Sequence, residues 1–386
     1  MIGVAQGHIF PDLVPRMRTP NSMYRLPILL LAIIALLFAI WAGLLRAGWA
    51  WSPIQPDLAA AHGPLMVSAF LGTVIGLERA VALDKKAAYL MPLLSVLGGG
   101  LLIMGWSWIG AGYLLALAAA GLVILFGLIV RQHTAIYTIT MAIGSLAWLI
   151  GNLLLVAGRP IYAVTPWWIA FLVLTIAGER LELSRVLRLS SRTIRWFVVA
   201  TVIFLAGVVW SSFNYDIGTR LTGLGMILLA AWLMIFDIAR RNLRHRELTR
   251  FIAYALFGGY IWLGVGGLLW VTHGGVLAGP IYDAILHSVF LGFVFGMIFG
   301  HAPLIFPSVL NRPMAYLPAF YLPLIFLHLS LVMRITGDLI NNIFLRQWGS
   351  LLNGITLLLF LLISAIALAQ GSKNRVSDVA SPKAQA

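Results

Sequence analysis

The sequence predicts an all-α polytopic membrane protein of about twelve transmembrane helices, and three observations predict it. The 386 residues are 61% hydrophobic and 10% charged, with a mean hydropathy of +0.97, more apolar surface than a water-soluble domain can bury. Apolar runs long enough to cross a bilayer recur along the chain, parted by short polar or basic stretches. When those runs are threaded alternately across a membrane, all but five of the 26 Lys and Arg fall on one side. There is no cysteine, which excludes disulfides, thiolate metal sites, iron–sulfur clusters and cysteine nucleophiles.

Residues 1–25 are polar and carry Arg16, Arg18 and Arg25. The run that follows, 26–46, is too long for a signal-peptide core and lacks a small-residue cleavage site, so it reads as an uncleaved first span. Further spans are expected at 58–83, 88–108, 110–130, 134–157, 163–183, 194–212, 218–239, 250–272, 281–303, 314–334 and 350–370. Together, 26–370 form one transmembrane domain. The polar tail, 371–386, is expected to be disordered.

A net charge of +14 would suggest nucleic acid in a soluble chain. Here the distribution explains it better. The basic loops share a side with both termini, and only Arg46, Arg159, Arg220, Arg334 and Arg346 lie opposite. Cytoplasmic loops carry the Lys/Arg excess, so both termini are expected in the cytoplasm, at the inner membrane of a prokaryote. Tryptophans such as Trp106, Trp168, Trp210 and Trp270 fall at the outer helix ends, where an interfacial belt is expected.

A weak repeat runs through the spans. Trp41, Trp148 and Trp262 each precede small positions and a Leu-Leu pair in spans one, five and nine. Spans two and six end alike, IGLERAVAL and IAGERLELS, placing Glu78-Arg79 and Glu179-Arg180 at the cytoplasmic end. Units four spans apart suggest three four-helix arcs with pseudo-threefold symmetry.

Ionisable side chains inside a bilayer are costly, so histidines there are site candidates. His62 opens span two, His287 lies near the start of span ten, and both spans run inward, which puts the two at matched depth in the outer half. Two histidines from different helices at one depth are what a bis-imidazole haem needs, low-spin and b-type. The same pair could hold another metal, or be hydrogen-bonded structural histidines. Gly63, Ala69, Gly72 and Gly292 would let a flat macrocycle approach the backbone, and Arg46 or Arg334 could neutralise its propionates. His328 of span eleven reaches the same half and could be a third ligand, to copper for instance, or a packing residue. His133 and His301 lie at the cytoplasmic end with the two Glu-Arg pairs. They mark either a metal or proton site or an ordinary interfacial location; the Glu-Arg pairs either neutralise one another or line an ion path.

At this point the sequence resembles a family. His62-Gly63-Pro64-Leu65-Met66 is similar to the H-G-x-x-M of the second helix of haem–copper oxidase subunit I, where the histidine binds the low-spin haem. Twelve spans, arcs of four and a second ligand on helix ten make the fold subunit-I-like. A closer likeness is to the NnrS family, haem- and copper-associated membrane proteins linked to nitric oxide stress. Its motif of His with Met at plus four and Phe at plus eight is matched by His62, Met66 and Phe70. Its later helix, with Gly at plus five and Met-Ile at plus ten, is matched by His287, Gly292, Met297 and Ile298. The resemblance implies haem binding, with Met66 beside the cofactor, and a response to a diatomic gas, nitric oxide.

The departures matter. The NnrS-type motif has a second His and a Glu where this chain has Pro64 and Leu65. The single histidine early in span ten, and the absence of histidines from spans six and seven, remove the binuclear centre of an oxygen-reducing oxidase. Soluble-enzyme motifs are also absent: no P-loop, no H-E-x-x-H, no nucleophile triad. The alternative from another class is a secondary transporter, with Glu78, Glu179 and His301 along a path and the glycine clusters 98–100 and 264–267 breaking helices. Whether the protein oligomerises, has an electron-transfer partner or is an enzyme is open at this level.

Overall fold

The computed structural model of the chain describes residues 22–380, with side chains over 23–372. The polar N-terminal segment, with His8, Arg16 and Arg18, and the last six residues lie outside the described residues. Every regular element among the described residues is helical. Twelve helices are long and apolar enough to cross a membrane, and the protein is a multi-pass membrane protein. They are α1 (Met23–Arg46), α2 (His62–Leu83), α3 (Lys86–Met104), α4 (Trp108–Gln132), α5 (Ile136–Val156) and α6 (Ile161–Leu187). The second half comprises α7 (Ser191–Trp210), α8 (Tyr215–Phe236), α9 (Glu247–His273), α10 (Pro280–Leu310), α11 (Pro318–Leu339) and α12 (Ile343–Ser372). All twelve expected spans are present.

Local chemistry sets several boundaries. Ser107, Ser190 and Asn214 cap α4, α7 and α8, each accepting a backbone N–H three residues on, at 2.9, 3.2 and 3.0 Å. Gly105 ends α3 in the left-handed conformation (φ +67°), which a side chain rarely adopts. Other boundaries differ from expectation. Residues 58–61 form turns rather than the first turn of α2. The last helix begins at 343, seven residues early, and its helical backbone runs on to Ala380 through the stretch expected to be disordered. The tryptophan belt is also only partial. Trp106 and Trp210 are exposed, but Trp168 and Trp270 are fully buried between helices.

Short connections make consecutive spans antiparallel, so the bundle has a Lys/Arg-rich end and an Arg-poor end. The three most enclosed spans are α2, α6 and α10, whose apolar windows are 67, 72 and 67% buried, against at most 56% in any other span. These spans are four apart, and they carry the His and Glu-Arg motifs. Helix α10 packs against α1, α2, α6, α9, α11 and α12. A helix this enclosed presents little surface to lipid, so its polar residues must find partners within the protein.

Candidate functional site

The structure brings His62 and His287 together. Their ring centroids are 6.2 Å apart and their planes are inclined by 25°. The Nδ1 of His62 lies 2.8 Å from the Ala39 carbonyl of α1, and the Nδ1 of His287 lies 2.9 Å from the carbonyl of Asp283, one turn earlier. A carbonyl only accepts, so each Nδ1 donates, and Nε2 is the nitrogen left with a free lone pair. Two imidazoles sharing one metal ion through bonds of about 2 Å have centroids roughly 6 Å apart. Donation of the other ring nitrogen to a carbonyl or carboxylate is the usual support of a metal-ligating histidine. The ring separation and the free Nε2 atoms are compatible with one metal held by both histidines.

Both histidine-bearing helices change pitch within three residues of the histidine. Residues 65–71 of α2 and 288–295 of α10 are π-helical, and the Gly72 N–H bonds the Val67 carbonyl five residues back. Such stretches are rare and concentrate at functional sites, because the added residue per turn re-aims the side chains on either side. Phe70 and Phe295, each eight residues beyond its histidine, stack with centroids 6.0 Å apart and planes 15° apart. The π-helical turn of α2 is pinned by a buried polar network. Ser68 donates to Asn152 (2.8 Å) and accepts from Trp148 (3.0 Å), while Trp168 donates to the same Asn152 oxygen (3.0 Å). The network closes through Asn152 to the Leu115 carbonyl and Ser95 to the Ser68 carbonyl. With its polar side chains satisfied, it holds α2, α3, α4, α5 and α6 in one register.

The histidine pair opens on a cavity of about 480 Å³, within the range of small-molecule cofactor sites. Its walls include Met66, Trp108, Trp168, Phe290 and Phe295, and its charged residues are Arg46, Arg159, Arg334 and Asp283. Met66 is one of the residues that line it. Arg46 and Arg334 both reach the cavity, but their roles divide. Arg334 is committed to Asp283 by two hydrogen bonds of 2.8 and 2.9 Å, which leaves Arg46 and the unexpected Arg159 as the arginines open to a ligand's anionic groups. Arg159 lies in a loop 97 positions from His62, and only the folded chain brings it there.

Other expected residues go elsewhere. His328 does not line the cavity. Its Nδ1 accepts from Trp262 at 3.0 Å, and its ring lies on Gly258, so it is a packing residue. Among the described residues no group of three His, Asp or Glu forms a metal cluster. Gly72 and Gly292 do not face the cavity but receive Trp148 and Trp262, and Ala69 packs on Gly99. The glycine that gives His62 its room is Gly43 of α1, where an added methyl would stand 2.8 Å from Cε1 and 3.0 Å from Nδ1. One turn beyond Arg334, the carboxylate oxygens of Asp338 are buried without a partner at hydrogen-bond geometry, beside Asp283 and the guanidinium groups of Arg334 and Arg346.

At the Lys/Arg-rich end the expected site is rearranged. Arg79 pairs with Glu179 across α2 and α6. Arg180 pairs not with a glutamate but with Asp237, at the end of α8, through bonds of 2.7 and 2.6 Å between side chains 4 and 0% exposed. His301 extends this cluster, with Nε2 3.3 Å from Arg180 and Nδ1 2.7 Å from the Met297 carbonyl. His133 is exposed and bonded to Tyr137, which also accepts from Arg185 at 3.4 Å. Glu78 is half-buried beside Arg79 in sequence without joining its ion pair. His133 and His301 therefore serve different partners, and these ion pairs tie α2, α6, α8 and α10 together.

No curated protein and no solved structure matches the chain. A family model described as "Domain of unknown function (DUF8744)" matches residues 25–369, from the first span to the last, so the protein that builds this histidine-lined cavity belongs to the DUF8744 family.

Proposed function

We propose that the protein binds one haem between His62 and His287 and uses it in one-electron transfer near the Arg-poor face of the membrane. The observation that carries this reading is the 6.2 Å imidazole pair, with both Nδ1 atoms occupied, at the mouth of a cavity of about 480 Å³. When bound, haem supplies a reversible one-electron couple whose potential the protein sets through ligands, hydrogen bonds and burial. His62 and His287 would hold it, Met66, Phe290 and Phe295 would pack against it, and Arg46 and Arg159 would meet its propionates. Both donors to the iron would then come from the protein. The nitric oxide response implied by the likeness to the NnrS family would then require one imidazole to leave.

The enclosure of α2, α6 and α10, four spans apart, supports the subunit-I-like arrangement of three four-helix arcs. The Lys/Arg-rich end is then cytoplasmic by charge distribution. A transport reading has less support, because Glu179 and His301 are both engaged by arginines.

The test is the haem content of protein purified after expression with ample haem. One b-type haem per chain, with sharp α and β bands on reduction, is expected; a protein without a Soret band would overturn the reading. A Gly43→Ala variant is expected to push the His62 ring off the Ala39 carbonyl and weaken haem retention by about 10–100-fold, the usual cost of disturbing a ligand's support. Gly100→Ala, whose methyl would meet nothing within 4 Å, should retain haem like the wild type.

A further inference from the structure

The two histidines are held differently, and the difference has a chemical consequence. His62 donates to a neutral backbone carbonyl. The Nδ1 of His287 faces, besides the Asp283 carbonyl, the Asp283 carboxylate itself, with Oδ1 at 3.2 Å. That carboxylate is gripped by Arg334 of α11, Nε to Oδ2 at 2.8 Å and Nη2 to Oδ1 at 2.9 Å. The chain Arg334–Asp283–His287 thus runs from one helix through a carboxylate to one of the two imidazoles, and nothing equivalent stands behind the other. The side chains of Arg334, Asp283 and His287 are 8, 29 and 14% exposed, enclosed enough for their electrostatics to be weakly screened.

We propose that Asp283 is a positioning residue that fixes the His287 ring and raises its electron donation to a bound haem, with Arg334 moderating that effect. This rests on the haem reading given above. The Nδ1–H that bonds the Asp283 carbonyl also faces the Asp283 carboxylate, and a negative charge beside that hydrogen draws it outward and makes the opposite nitrogen a stronger donor. Stronger donation stabilises the oxidised iron over the reduced iron, so the Asp283 carboxylate lowers the midpoint potential. Arg334 draws charge away from the same carboxylate and places a positive charge nearby; both effects raise the potential. Asp283 also lies in the same turn as His287, at i−4, where its side chain meets the ring without any help from the rest of the fold. Arg334 comes from a separate helix 51 residues away, so it can be altered independently.

The experiment is a potentiometric titration of the haem in purified wild type, Asp283→Asn, Asp283→Glu and Arg334→Gln proteins. Asparagine removes the anionic acceptor. If oxidised haem loses about tenfold more affinity than reduced haem, within the range for loss of such support, the potential rises by about 59 mV. Asp283→Glu should restore part of that shift, and Arg334→Gln should move the potential the opposite way, downward. A purely structural role for Asp283 would change haem occupancy or thermal stability while leaving the potential of the retained haem unmoved. Unchanged potentials, or shifts of the same sign in Asp283→Asn and Arg334→Gln, would overturn the proposal. If Asp283→Asn fails to accumulate, Arg334→Gln decides alone: a lowered potential supports the proposal, and an unchanged or raised one overturns it. Wild-type protein without a Soret band removes the haem reading and this inference together, whereas a Soret band with unmoved potentials removes this inference alone.

Discussion

His62→Ala and His287→Ala are each expected to lower haem affinity more than about 100-fold, beyond the 10–100-fold that follows from disturbing a ligand's hydrogen-bond partner. Each removes one of two bonds to the metal and leaves a void where the ring stood. The losses should be unequal. His287 is held by its own turn and by Asp283, so it remains a preorganised ligand when His62 is gone. His62 relies on one carbonyl of another helix and is the weaker survivor. His62→Ala should therefore keep more residual haem, in a form that takes up exogenous imidazole in place of the lost ring. The measurement is haem per protein by absorption at matched protein concentration, with and without imidazole. Equal retention in both variants and wild type would mean that the pair does not ligate.

Asp237→Ala is expected to cost about 3–5 kcal/mol, the usual penalty for removing one partner of a buried ion pair. Asp237 accepts from two Arg180 nitrogens at 2.7 and 2.6 Å and from the Ala239 N–H at 2.6 Å, with no exposed side-chain surface of its own. Its loss strands a guanidinium among α6, α8, α9 and α10, with the neutral groups of His301 and Tyr260 beside it. A double replacement, Arg180→Met with Asp237→Leu, should recover most of the loss, since two apolar side chains leave no charge uncompensated. Thermal unfolding in detergent checks both variants. A single variant as stable as wild type would show that water or lipid headgroups reach Arg180.

Much of the architecture was legible in the sequence, and for a physical reason. The bilayer demands about twenty apolar residues per span and rejects unpaired charge, so hydropathy and Lys/Arg distribution report spans directly. The matched depth of His62 and His287 was legible on the same terms, since threading fixes which end of each span a residue occupies. What lay hidden was lateral. Nothing in the sequence says that Arg180 turns from Glu179 to Asp237, or that Arg334 spends itself on Asp283 while Arg159 takes a place at the cavity. Each depends on which helices are neighbours and how each is rotated. The π-helical turns were invisible for a related reason. Widening a helix by one residue per turn is worthwhile only where side chains from neighbouring helices fill the altered surface, as Trp148 and Asn152 do around Ser68. Gly63 does line the cavity, but Gly72 and Gly292 misled, because a small residue marks close approach without naming what approaches, and there it is tryptophan. In the tail, composition alone does not say how far the last helix runs, and its helical backbone extends to Ala380.

The central claim is that one haem iron lies between His62 and His287. The most direct measurement is low-temperature electron paramagnetic resonance of the oxidised wild-type protein, paired with near-infrared magnetic circular dichroism, whose charge-transfer band reports the axial ligands. A low-spin ferric signal with a bis-imidazole band is the expected result. A high-spin signal, a band from a different ligand pair or the absence of any haem signal would contradict the claim.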